Sequence, residues 1–135
     1  MTAPARTQHP VELILARQLA SYLAMPILLI DVDGNLLYYN EPAEALVGRR
    51  YEETGAIPLE EWSNLFSPTD EEGRPIPSEA RPTIVALRKR RAAHSTVRIR
   101  GLDGVPRRLG VTAFPLDGVG GRQLGAIALF WEMDR

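Results

Sequence analysis

Hydrophobic residues along the chain keep two rhythms, one of three to four residues and one of two, and the changes between them mark out the elements. Val11, Ile14, Leu15, Leu19, Tyr22 and Leu23 recur at helical spacing, which predicts an amphipathic helix from about Pro10 to Ala24 within an N-terminal segment 10–25. At roughly 1.5–3 kcal/mol per fully buried large apolar side chain, that stripe is expected to be covered, by a sheet face or by a second subunit. Ile27–Ile30 is a short apolar run, Asp33-Gly34 a turn dipeptide, and Leu36–Tyr39 a second run rich in strand formers, so a β-hairpin is expected. Asn40 then suits the cap of a helix about two turns long, with Glu41 and Pro42 in its first turn and Gly48 just beyond its last.

Arg49–Ile57 reads as irregular. A helix is expected over Pro58–Phe66, with Leu59, Trp62, Leu65 and Phe66 on one side. Pro68, Gly73, Pro75 and Pro77 make Ser67–Pro77 a loop, after which Ser78 is expected to cap a helix that carries Ile84, Val85 and Leu87 inward. That helix ends on Arg88-Lys89-Arg90-Arg91, cations that suit the negative end of its dipole, and Pro82 falls in its first turn. Three strands follow, over Thr96–Arg100, Arg107–Leu116 and Gln123–Glu132, separated by turns at Gly101–Gly104 and Asp117–Gly121. The last is apolar on both faces, Leu124, Ala126, Ala128 and Phe130 on one and Ile127, Leu129 and Trp131 on the other. It is therefore expected to be a central strand covered on both sides.

Composition narrows the function more than the fold. At 135 residues, 44% hydrophobic and 24% charged, the chain is one globular domain: a flexible tail over 1–9, the helical segment and a domain over 26–133. With no cysteine there are no disulfides, thiolate metal sites or cysteine nucleophiles, and His9 and His94 form no ligand pair. The longest apolar stretch, Leu23–Ile30, is interrupted by Pro26 and too short to span a bilayer, and residues 1–10 carry no signal sequence, so a cytoplasmic protein without a membrane partner is expected. The net charge of −1 offers no overall attraction for nucleic acid.

The order of elements, with Asp31-Val32-Asp33-Gly34 leading to Tyr39-Asn40-Glu41-Pro42-Ala43, resembles the PAS sensory family, bacterial type, from about residue 10 onward. Leu65-Phe66, Gly73-Arg74-Pro75-Ile76-Pro77 and Glu79–Leu87 are similar to the loop and long helix of many of its members. The resemblance implies an α+β fold: a five-stranded antiparallel sheet in the order 2-1-5-4-3, helices over one face enclosing a small cavity, and the N-terminal helix on the other face or at a dimer interface. It implies a signal-transduction role in which a homodimer senses a small apolar ligand and regulates an effector. The cofactor stays unknown, although the flavin-adduct cysteine of LOV photosensors is absent, and His94 lies beyond the long helix that carries the haem ligand of oxygen sensors.

Within that frame Trp62, Phe66, Ile84, Leu87, Val97, Ile99, Val111, Ala126 and Ala128 are expected to line an apolar cavity. The alanines either let a helix approach or leave room for a ligand, and the sequence leaves both open. Val11, Ile14, Leu15, Leu19 and Tyr22, with Ile127, Leu129 and Trp131, are expected at the dimer interface.

Competing chemistry fits less well. Asp31, Asp33 and Asn35 resemble a calcium loop, but Gly34 is misplaced and Pro42 stands where a bidentate Glu is required. The cations Arg88–Arg91, Arg98, Arg100, Arg107 and Arg108 are balanced by acidic runs at Glu52-Glu53, Glu60-Glu61 and Asp70–Glu72, which reads as a solvated surface more readily than as a nucleic-acid footprint. No nucleophile or opposed carboxylate pair accompanies His94, so the expectation is a non-enzymatic sensor, with a ligand-free dimerisation scaffold as the alternative.

Overall fold

The computed structural model describes residues 10–100 and 104–133, and the side chain of Phe66 is not among what it describes. The tail expected over 1–9 and most of the turn at 101–104 fall outside those residues. In chain order the elements are α1 (Val11–Tyr22), β1 (Ile27–Ile30), β2 (Leu36–Tyr39), α2 (Glu41–Val47), α3 (Tyr51–Thr54), α4 (Leu59–Phe66), α5 (Pro82–Lys89), β3 (Ala93–Arg100), β4 (Pro106–Asp117) and β5 (Gln123–Glu132). The strands form one antiparallel sheet in the order β2-β1-β5-β4-β3, as the family resemblance implies.

The hairpin turn is built as its residues dictate. Oδ1 of Asp31 accepts from the N–H groups of Asp33 (3.0 Å) and Asn35 (2.9 Å), and Gly34 supplies the left-handed residue. Asn40 caps α2 by accepting from the Ala43 N–H, Pro42 lies in the first turn, and Gly48 closes the helix with φ +80°. One sheet face, carrying Leu28, Ile30, Ala113, Ala126 and Ala128, packs under α2 to α5 together with Val47, Trp62, Ala86 and Leu87.

Three local expectations are corrected. The segment Arg49–Ile57 contains the short helix α3, whose start is fixed by the Glu44 carboxylate accepting from the Tyr51 N–H at 2.7 Å, a contact seven residues away. Ser78 begins only a short 3-10 turn, and α5 starts at Pro82, because a residue before proline is driven to extended backbone and Arg81 adopts φ −71°, ψ 138°. Leu124 does not share a face with Ala126. A bulge at Leu116/Asp117 lets Leu116 pair with Gly125 and Asp117 with Gln123, so Leu124 is the extra residue and joins the opposite face.

The N-terminal helix docks by a different side from the one its apolar stripe marks. Leu13 and Ala20 are the buried residues of α1, and Leu13 packs with Leu29, Leu124, Leu116 and Ile127 on the outer sheet face. At 3.6 residues per turn those two lie on the opposite side of the helix from Val11, Leu15 and Tyr22. Val11 (62% exposed), Ile14, Leu15, Leu19 and Tyr22 (78%) therefore point away from the sheet, where Trp131 of β5 is also exposed. The helix is apolar on two sides, and only the narrower one is used within the chain.

Candidate functional site

A cavity of about 60 Å³ lies between the inner sheet face and the helices. Leu28, Val97, Ile99, Val111 and Phe130 rise from the strands, Leu46 and Trp62 descend from α2 and α4, and Pro68, Arg81, Pro82 and Thr83 complete the lining. Of the residues expected from the sequence, Trp62, Val97, Ile99 and Val111 are on this wall. Ile84, Leu87, Ala126 and Ala128 are buried but sit elsewhere, in close packing.

The alanines show why. Ala128 pairs with Leu28 on one side and Ala113 on the other, and all belong to the cluster that includes Ala86 and Leu87 of α5. Small side chains here bring α5 down onto the sheet and so fill the space that larger residues would have propped open. The wall residues missed by the sequence reading come from two sources. Leu28, Leu46 and Phe130 are ordinary core residues on elements already assigned, whereas Pro68 and Arg81 arrive through loop geometry that carries no periodic signal, and Thr83 follows from the start of α5 at Pro82.

Trp62 is fixed by the hairpin rather than by its own helix. Its indole Nε1 donates to the Gly34 carbonyl at 2.8 Å, and Oδ1 of Asn35 accepts from the Leu59 N–H at 2.9 Å, which caps an α4 terminus that has no cap of its own. The same turn that reverses the chain therefore seats the cavity's ceiling.

Asn40 links this core to α1. Buried to 1% exposure, it caps α2 and accepts from the Ile27 N–H at 3.0 Å, while its Nδ2 donates to the carbonyls of Ala20 and Met25, each at 2.9 Å, with Leu23 at 3.5 Å. Farther along the same side of α1, the Arg17 guanidinium lies 4.7 Å from the ring centre of Tyr38 and 5.2 Å from that of Tyr51. Tyr51 also stacks edge-on against Tyr38 and Tyr39.

Charged groups outside the cavity are largely paired with one another. Glu71 binds Arg108 at 2.9 Å and approaches Arg98 at 3.9 Å; its hydrogen bonds to Arg108 hold its carboxyl below the usual range. Arg90 meets Asp117 at 3.1 Å, and Arg107 meets Glu132 at 3.5 Å. These pairs neutralise much of the basic surface noted in the sequence. His94 lies on β3 with Nδ1 2.9 Å from the Thr112 hydroxyl, on the exposed side of the strand and away from the cavity. No helix among the described residues is long and apolar enough to cross a membrane.

No family model and no curated protein matches this sequence. Solved structures do. The PAS domain of a Colwellia psychrerythraea protein aligns over 90% of this chain and 96% of its own at 18% identity and a TM-score of 0.63. The LOV protein of Rhodobacter sphaeroides aligns over 93% and 70%, at 18% identity and 0.70. The PAS domain of nitrogen regulation protein NR(II) from Vibrio parahaemolyticus aligns over 88% and 98%, at 19% identity and 0.61. The chain is a PAS-type domain in its fold.

Proposed function

We propose that this chain is a cytoplasmic, non-enzymatic sensory module that forms a homodimer through α1 and the outer sheet face and relays the state of its cavity to an effector. The observation that carries this reading is the outward apolar stripe of α1: Val11, Ile14, Leu15, Leu19 and Tyr22 on a helix whose opposite side is already docked. A second copy is the natural cover, because a two-fold axis lets one stripe meet itself, with Leu129 and Trp131 of β5 flanking the contact, while Ile127 is packed against Leu13 of its own chain. Asn40 supplies the mechanical link, since it bonds the end of α1 and the start of α2 together. Coupling of about 1–3 kcal/mol between cavity and dimer surface is enough for a switch.

Sedimentation equilibrium tests the dimer. The wild-type chain is expected to dimerise, and Leu15→Glu with Leu19→Glu, placed on exposed positions, is expected to give a folded monomer with an unchanged melting profile. A wild-type chain that stays monomeric at high concentration overturns the proposal.

The ligand-free scaffold is the second reading, and the tight alanine packing favours it, because the present walls leave no room for a ring system the size of haem or flavin. Native mass spectrometry separates the two: a bound small-molecule mass supports the sensor, and an empty dimer supports the scaffold.

A further inference from the structure

The sheet ends at β3 on an edge that is paired at one residue and bare at two others. Arg98 turns its backbone outward: its N–H donates to the Thr69 carbonyl at 2.9 Å and its carbonyl accepts from the Thr69 N–H at 2.8 Å, an antiparallel bridge. β3 pairs with β4 over Ala93–Arg100 without a bulge, so backbone direction alternates, and Thr96 and His94 face the same way as Arg98. Among the described residues no backbone group pairs with either of them on that side; the Thr96 carbonyl has only a 3.4 Å contact from the Ser95 hydroxyl. Proteins blunt such edges with proline, a bulge or a covering loop. His94–Thr96 contains neither proline nor bulge, and the loop that carries Thr69 pairs only with Arg98.

The charge beside that edge has one sign. α5 ends at Lys89 and β3 begins at Ala93, so Arg88, Lys89 and Arg91 cluster at the start of the bare stretch. All three are exposed, and among the described residues none meets a carboxylate or a carbonyl. Arg90, between them, is committed to Asp117 and the Gly121 carbonyl. The negative end of the α5 dipole amounts to half a charge in solvent and leaves most of theirs unmatched. At the other end Glu71 lies 3.9 Å from Arg98, so the positive excess sits at the Arg91 end. Two copies joined through this edge on a two-fold axis at Ser95 would bring Arg91 of each beside Arg98 and Arg100 of the other, and like charges opposed across strands are unfavourable. A partner of opposite charge fits where a second copy does not.

We infer that the β3 edge docks an extended acidic segment of a partner protein, added antiparallel beside His94 and Thr96 with its carboxylates against Arg88, Lys89 and Arg91. The pairing fixes direction: an antiparallel addition runs toward the start of β3, so the acidic residues stand at the C-terminal end of the incoming segment. About four or five residues cover the bare stretch, at roughly 3.4 Å each. β4 separates this edge from β5 and from the outer-face cluster on which α1 docks, so the inference is independent of the proposed dimer.

The test is an amide NMR titration of the full chain with two capped peptides, acetyl-TVTVEEE-amide and acetyl-TVTVKKK-amide. The acidic peptide is expected to bind at least tenfold more tightly than the basic one and to protect the His94 and Thr96 amides from hydrogen exchange. Thr96→Pro removes one outward N–H and no bond to β4, and is expected to keep the fold while abolishing the protection at His94. Arg88→Gln with Arg91→Gln, both at exposed positions, is expected to weaken the acidic peptide at least fivefold with an unchanged melting profile, which keeps the inference testable should the proline variant misfold. Binding of the acidic peptide without protection of those amides, or equally to the proline variant, is plain charge attraction and overturns the strand pairing. Equal binding of the basic peptide overturns the acidic partner. Protection of His94 and Thr96 that rises with protein concentration in the absence of peptide places a second copy on the edge and overturns the inference, as does failure of the acidic peptide to bind.

Discussion

Asn40 ties three elements together through one side chain, because its amide serves two helices and a strand. Asn40→Ala removes a helix cap and orphans buried carbonyls, so a loss of about 2–4 kcal/mol is expected in chemical denaturation. Asn40→Asp keeps the cap oxygen but turns a carboxylate toward the Ala20 and Met25 carbonyls, and hydrogen exchange is expected to show α1 released while α2 stays protected. The cap was legible in the sequence, since it depends on residues three positions apart. The reach to α1 was not, since nothing local encodes a contact twenty residues back. Tyr39 gives the opposite case. Among the described residues its buried hydroxyl has no hydrogen-bond partner, and burial raises its pKa, with Thr54 opposing that rise. Tyr39→Phe is therefore expected to leave thermal stability unchanged or to raise it by up to about 1 kcal/mol. Gly125 is constrained by contact: at φ +151° a Cβ would lie 2.0 Å from the Ile30 carbonyl oxygen, which belongs to the paired backbone of β1. Gly125→Ala is expected to lose more than about 3 kcal/mol or to prevent folding, as judged by circular dichroism and urea melts.

At the scale of elements, the strands and most helices follow from periodicity and turn chemistry, the strand order follows from the family resemblance, and the departures come from features that no local repeat encodes. Strict alternation assigns the faces of β5, and a single bulge resets it; the sheet holds α1 by Leu13 and Ala20 and leaves the larger apolar stripe exposed. The cavity is legible at Trp62, Val97, Ile99 and Val111, and illegible where Pro68, Arg81 and Thr83 come from a loop and the first turn of α5. The loop preceding α5 is tied to the sheet by Thr69, whose backbone exchanges hydrogen bonds with Arg98, and by Glu71 on Arg108. Because Glu71's folded pKa lies below its ordinary 4.5, its contribution is complete above that value and disappears as pH falls through the folded one. The stability difference between wild type and Glu71→Gln should thus be largest near neutrality, shrink below about pH 4.5 and weaken with salt, the small effect expected of an exposed pair.

For the whole molecule, the strand that comes last in the chain occupies the middle of the sheet, between β1 and β4. During synthesis the two hairpins that precede it can each form, but they present bare edges to each other until β5 emerges and joins them. Closing of the sheet therefore waits for β5, through contacts of long sequence separation such as the pairing of Ile27 with Leu129. A polypeptide stopped after Arg122 is expected to be captured by chaperones or to aggregate, with one mispaired ribbon templating the next.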